Sequence, residues 1–261
     1  MIRWCSYCQA FMGEKPPFDE PTFTHTMCSR CDRRLEQGEA LDASTVPLRA
    51  LMNRVLASAR AGDETACADI VARARELGLR PDSVLVGLLQ PALYQAGLDW
   101  QGGRMSVAAE HRLTSWCERA FNLLVTGSHP TPPIDLLILQ TSGNEHTVGP
   151  RFAAASLASQ GISVEVVVPA LPLSEIKDLV RELRPRVIGF SCALPESVRV
   201  ATDLVEQLRA EPDPVFHCRY LLSGFAFRMP GADCAAMVSP GIEIALTLDP
   251  GMFARPDASA A

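Results

Sequence analysis

Apolar positions follow two different periods along the chain, and the change falls near residue 130. Leu48, Leu51, Met52, Val55 and Leu56 repeat at helical spacing until Gly62. Asp63 is a good N-cap for a second helix carrying Ala66, Ile70, Val71 and Ala74, with Gly78 closing it. Pro81 suits the first turn of a third helix through Val84, Leu88, Leu89, Leu93 and Tyr94. Pro91 falls inside that helix, so a kink is expected there. Gly102-Gly103 breaks the chain, and a fourth helix runs from about Ser106 to Val125, with Trp116 and Phe121 as core positions. Four helices with short connections over residues 46–127 predict a bundle. From Ile134 the pattern becomes continuous apolar runs at 134–140, Ser163–Val168, Arg186–Phe190, Arg219–Leu222 and Ile242–Leu248. Amphipathic stretches such as Leu173–Leu183 and Glu196–Arg209 separate most of them. Alternation of this kind predicts an α/β unit over 134–250 with a doubly wound parallel sheet. The tail after Pro250 is rich in Ala, Pro, Asp and Ser and is expected to be disordered.

Residues 1–35 fit neither period. They hold Pro16, Pro17 and Pro21 and two C-x-x-C pairs, Cys5/Cys8 and Cys28/Cys31. Each pair puts two thiolates on one tight turn, and two turns complete a tetrahedral four-sulfur site of the kind zinc prefers. A redox dithiol is the other reading, but no βαβ context surrounds either pair. So short a segment buries too little apolar area to fold without a metal, so a small zinc ribbon is expected. Its basic residues (Arg3, Lys15, Arg30, Arg33, Arg34) nearly balance its acidic ones (Glu14, Asp19, Glu20, Asp32, Glu36), which favours a structural or protein-contact role over DNA binding. Residues 36–45 read as a polar linker. Cys67, Cys117, Cys192, Cys218 and Cys234 read as reduced core residues.

Composition narrows the classes. With 48% hydrophobic residues in 261, a sizeable core is expected. A net charge of −6 and a pI near 5.4 argue against a body that wraps nucleic acid. No apolar run approaches the roughly 18 residues of a spanning helix, and the N-terminus has no apolar signal-peptide core. A cytoplasmic protein without membrane contact is the expectation.

The sheet region carries its polar residues where strands end. No G-x-G-x-x-G or Walker loop comes after the first strand, and Asp135 sits too early in that strand for a phosphoacceptor. The loop leaving the strand instead contains Asn144-Glu145-His146-Thr147-Val148-Gly149. Loops at the carboxyl ends of parallel strands are where such sheets place ligands. A lone loop histidine is more often simply solvated.

The combination resembles a known family. A four-helix bundle followed by a flavodoxin-like sheet is similar to the cobalamin-binding module of methionine synthase and of corrinoid proteins. That family carries D-x-H-x-x-G after the first strand, S-x-L or S-x-T after the third, and Gly-Gly after the fourth. Here the counterparts are residues 144–149, Ser191-Cys192-Ala193 and Ser223-Gly224, in the same order. The resemblance implies cobalamin as cofactor and His146 as a cobalt ligand. It implies that Asn144, Glu145, Gly149, Ser191, Ala193, Ser223 and Gly224 contact the cofactor. Asn144 departs from the family's Asp, and orients the imidazole without adding charge. Ser223 departs from the first Gly but remains small.

Trp100, followed after nine residues by Glu110-His111, is similar to the cap of adenosylcobalamin-dependent photoreceptor regulators of the CarH type. There the Trp covers the adenosyl group and the Glu and His shape its pocket. In those regulators a His comes directly after the Trp. Here Gln101 stands there, leaving His111 or His129 as substitutes. Those regulators also begin with a helix-turn-helix, where this chain has the ribbon. The expectation is a cobalamin-dependent sensor, light-responsive and not an enzyme. It would act through a regulatory protein partner or a homo-oligomer, with direct DNA contact through the ribbon less expected. The alternatives are a corrinoid methyl carrier of a methyltransferase system, or a module holding another tetrapyrrole or no ligand.

Overall fold

The computed structural model describes residues 1–125, 130–229 and 231–253. His129 and residues 254–261 lie outside the described residues; where a disordered tail is expected to begin, Pro250–Phe253 instead form a 3₁₀ turn that buries Phe253. The chain divides into two compact units, Met1–Gly127 and Ser128–Ala261.

The first unit begins with a three-stranded sheet in the order β2-β1-β3, formed by β1 (Ile2–Cys5), β2 (Phe11–Glu14) and β3 (Phe23–Thr26). Strand β1 runs antiparallel to β2 and parallel to β3. A short helix, α1 (Ser29–Glu36), starts at Cys28 and buries Cys31.

The helical region has the expected breaks. Helix α2 (Val46–Ala61) ends at Gly62, whose φ of 68° only glycine adopts without strain. Helix α3 (Glu64–Glu76) is capped by Asp63, whose Oδ1 accepts from the backbone N–H groups of Thr65 and Ala66, each at 3.1 Å. The third helix is broken more specifically than a kink. It comprises α4 (Pro81–Val84), a π-helical turn (Leu85–Leu89) and α5 (Gln90–Gln101). Pro91 supplies no N–H for the carbonyl of Gly87, and its ring would crowd that carbonyl in regular α geometry. Widening the preceding turn relieves both problems. Helix α6 (Val107–Leu124) starts at Ser106, whose Oγ accepts from Ala109 N–H at 3.2 Å. Helices α2, α3 and α6 pack pairwise, and α5 packs on α6. Their buried positions include Leu48, Leu51, Val55, Ile70 and Leu113. Trp116 joins them, its indole N–H donating to the Asp63 carbonyl at 2.8 Å.

The second unit is a five-stranded, all-parallel sheet in the order β5-β4-β6-β7-β8. The strands are β4 (Leu136–Gln140), β5 (Val164–Val167), β6 (Val187–Ser191), β7 (Arg219–Ser223) and β8 (Glu243–Ala245). Helices α7 (Val148–Ala158), α8 (Leu173–Leu183) and α9 (Pro195–Arg209) complete it. Alternate residues of each strand serve opposite faces. Leu137, Leu139, Ile188, Phe190 and Leu222 share a core with Ile176, Val180, Val198 and Val205. Leu136, Ile138, Val187 and Leu221 share another with Ala154 and Leu157. Coverage on both faces explains why β4 reads as an unbroken apolar run. Between β7 and β8 the connection holds only short 3₁₀ turns, Phe225–Arg228 and Cys234–Met237. Strand β8 stops at Ala245, short of the expected residue 248, and the carbonyls from there on turn inward: Ser223 Oγ donates to Ala245 O and Arg228 to Leu246 O. No described helix is long and apolar enough to cross a membrane.

Candidate functional site

Three loops leave the sheet at one level, because Gln140 pairs with Ser191 and Ser191 with Ser223. The chain passes from β4 through α7 to β5 on one side, then returns to β6 on the other. The topological switch point therefore lies between β4 and β6, where an open parallel sheet presents its ligand crevice.

Asn144 spans that switch point. It is buried, and its Nδ2 donates to Ser191 O at 2.9 Å. Its Oδ1 accepts from the backbone N–H of His146 at 3.1 Å and lies 3.0 Å from His146 Nδ1. A backbone carbonyl only accepts and a backbone N–H only donates, so these two contacts fix which way the amide faces. Oδ1 thus faces the imidazole, and Nδ1 must carry the hydrogen that it accepts. The tautomer so selected leaves the Nε2 lone pair free on an exposed ring. Gln140, at the end of β4 and 1% exposed, donates its Nε2 to the Asn144 carbonyl and fixes the base of the loop. Gln140 Oε1 and its neighbour Thr141 Oγ1 are buried and have no hydrogen-bond partner among the described residues.

The two glycines of this region differ. A Cβ at Gly149 would meet no described atom within 4 Å, so packing within the chain does not require glycine there. A Cβ at Gly224 would fall 2.1 Å from Cys192 O, and its φ is +130°. Gly224 thus lets the β7 loop lie against the β6 loop, where Cys192 N–H donates to Ser223 O at 2.7 Å. Glu145 is exposed, and Ser191, Ala193 and Ser223 are half-buried. A cleft of about 110 Å³ lined by Ser142, Gly143, Asn144, Leu194 and Ser197 adjoins the loop. Drug-sized ligands fill roughly 300–1,000 Å³. A larger flat ligand would meet the open ends of these loops rather than an enclosed cavity. An exposed nitrogen ligand, an open Gly149 and unpaired polar atoms beneath are compatible with a corrinoid.

In the first unit, Trp100 ends α5 with 44% of its surface exposed. Glu110 lies in the first turn of α6 and His111 directly follows it. Glu110 accepts from Thr114 Oγ1 at 2.6 Å, and its Oε2 lies 3.5 Å from His111 Nε2. The residue beside Trp100 carries no sequence signal, yet it organises this end of the helix. Asp99 is buried and receives Arg60 at 2.8 Å, Gln95 at 3.0 Å and Arg104 at 3.1 Å. Burial pushes its carboxyl up, but the hydrogen bonds from Arg104 and Gln95 and the two guanidinium charges outweigh that and hold it below the usual range.

The four ribbon cysteines converge, with all sulfurs within 4.8 Å of one another and Cys8 Sγ 3.7 Å from Cys28 Sγ. A tetrahedron with Zn–S bonds of about 2.3 Å has an edge of about 3.8 Å, so the set fits zinc. Burial raises the Cys5 thiol, but backbone N–H groups of Cys8, Cys28 and Tyr7 bring it down to about 6. Burial and its three thiol neighbours push Cys31 up to about 12. Four adjacent thiolates need a cation to offset their repulsion.

Residues 47–124 match the family model described as the B12 binding domain. The match covers the helical segment from α2 to α6. The fold of this chain is similar to the monomethylamine corrinoid protein of Methanosarcina barkeri, with TM-score 0.62 and 11% identity over 75% of this chain and 92% of that one. A cobalamin-binding protein from Desulfitobacterium hafniense DCB-2 aligns at 16% identity over 75% and 92%, with TM-score 0.36. The methanol:cobalamin methyltransferase complex of Methanosarcina barkeri aligns at 14% over 76% and 77%, with TM-score 0.35. No curated protein matches.

Proposed function

We propose that this chain is a corrinoid carrier that serves a methyltransferase partner. In this reading residues 1–35 are a zinc ribbon, 46–127 a helical cap and 134–250 the corrinoid-binding sheet. The observation that carries it is the Asn144–His146 pair at the switch point, which selects the tautomer able to present Nε2 to cobalt. Bound cobalamin would supply a metal able to accept and release a methyl group. The chain's own part is to hold the ring by His146, to orient His146 through Asn144, and to keep Gly149, Ser191, Ala193, Ser223 and Gly224 small or flat around the ligand. Glu145 sits at the same exposed rim. The likeness of fold to a monomethylamine corrinoid protein supports a carrier over a sensor. Reduced thiols at the ribbon suit a cytoplasmic setting.

One observation favours the sensor reading. Trp100 is exposed at the end of α5 and Glu110-His111 stand near the start of α6, a spacing that resembles an adenosylcobalamin cap with light as stimulus. Two measurements separate the readings. Cobalamin-loaded, reduced protein is offered a methyl donor and then a thiol with a methyltransferase; transfer supports the carrier. The adenosylcobalamin-loaded chain is run on a sizing column in the dark and after green light; a light-dependent elution volume without methyl transfer replaces the carrier by the sensor. Failure to bind cobalamin removes both.

A further inference from the structure

The N-terminal ribbon needs a partner, and the structure holds one within the same chain. Trp4 immediately precedes the ligand Cys5 and is 0% exposed, although 35 residues offer little core of their own. Its ring packs on Phe11 and Phe23 at centroid distances of 5.4 and 6.2 Å. Its far edge lies on Gly87. A Cβ at residue 87 would come 2.3 Å from Trp4 Cζ2 and 3.0 Å from both Trp4 Cη2 and Phe11 Cδ2. Indole carbons are rigid, so no side chain fits there while Trp4 is seated. Gly87 lies in the middle of the π-turn, inside a helix, where glycine is the poorest residue after proline. Trp4 Nε1 has no hydrogen-bond partner among the described residues, so shape rather than polar recognition makes the contact.

A second tether is independent of the first. Ser44 N–H donates to Ser6 O at 2.7 Å, and Gln9 Nε2 donates to Ser44 O. Ser6 lies within the Cys5/Cys8 knuckle and Gln9 directly follows it. The end of the expected linker is thereby pinned to the ribbon just before α2 begins.

We infer that the ribbon is a metal-dependent brace of the B12-binding segment. Its partner is the π-turn of that segment, and the metal's task is to hold Trp4 in the notch left by Gly87. Helix α5, which leads from the π-turn to Trp100, is the element so fixed. The inference does not depend on the carrier reading, because its readouts need no cobalamin.

Gly87→Ala in the full chain is the test, with zinc content, thermal melting and amide exchange as readouts. In an unbraced helix this change raises stability. With Trp4 seated it overpacks the notch and lowers the melting temperature by roughly 5 °C or more. The variant should keep one zinc per chain, and residues 36–45 should become open to a glutamate-specific protease that cuts after Glu36 and Glu39. Removing zinc from the unaltered chain should speed amide exchange across residues 85–101. A melting temperature equal to or above that of the parent overturns the inference. So does unchanged exchange at 85–101 after zinc removal, a measurement that stands even if Gly87→Ala does not fold.

Discussion

At the scale of single residues, the chemistry turns on which atoms are already committed. Asn144 uses both ends of its amide, one on Ser191 O and one on His146, so the imidazole is oriented before any ligand arrives. Groups that orient a metal ligand typically contribute 10–100-fold to metal affinity. Asn144→Ala should therefore weaken cobalamin binding by about that factor while leaving the fold intact, as absorbance titration and circular dichroism would show. His146→Ala should lose the nitrogen-ligated spectrum altogether; an unchanged spectrum returns His146 to an ordinary solvated side chain. Asp99 gives a pH prediction. Its carboxyl is held below the usual value when folded, so its contribution is complete above the unfolded value near ~3.9 and is lost as pH falls through the lower, folded value. Acid melting should show the helical unit losing stability below about pH 4, less steeply in Asp99→Asn. The partner Arg60 is half exposed, so added salt should reduce the effect. Neither Asp99 nor Gln140 was legible in the sequence, because a buried polar residue is recognised by its partners, and those lie far along the chain.

At the scale of elements, period and punctuation were informative. Gly62 and Asp63 end one helix and begin the next as their backbone and capping chemistry require. The five apolar runs became five parallel strands, with ends moved by one or two residues, apart from β8. At its end Ser223 and Arg228 donate side-chain hydrogen bonds to the carbonyls of Ala245 and Leu246. Pro91 marked a disturbance but not its form. The widened turn accommodates Pro91, and Gly87 within it lies against Trp4, some eighty residues distant in sequence. Phe190, on β6 and 1% exposed, sits in the larger core beneath the switch point. Phe190→Ala should cost about 3–5 kcal/mol in urea unfolding, by lost transfer free energy and residual cavity.

At the scale of the whole molecule, the chain supplies a four-cysteine cluster whose geometry fits zinc, a helical segment that matches the B12 binding domain model and a parallel sheet with polar loops at its carboxyl edge. Sequence alone determined the periodicity, the caps, the C-x-x-C pairs and the order of the three strand-end motifs, because each is a local pattern of a few residues. Tertiary structure decided what those patterns meet. It brought residue 144 to residue 191 and so chose a histidine tautomer. It gave Gly224 a packing duty against Cys192. It seated Trp4 on Gly87, joining the ribbon to the helices. These outcomes share one physical reason. Hydrogen-bond direction and close packing act between residues distant in sequence, and no local pattern encodes which distant atoms will arrive.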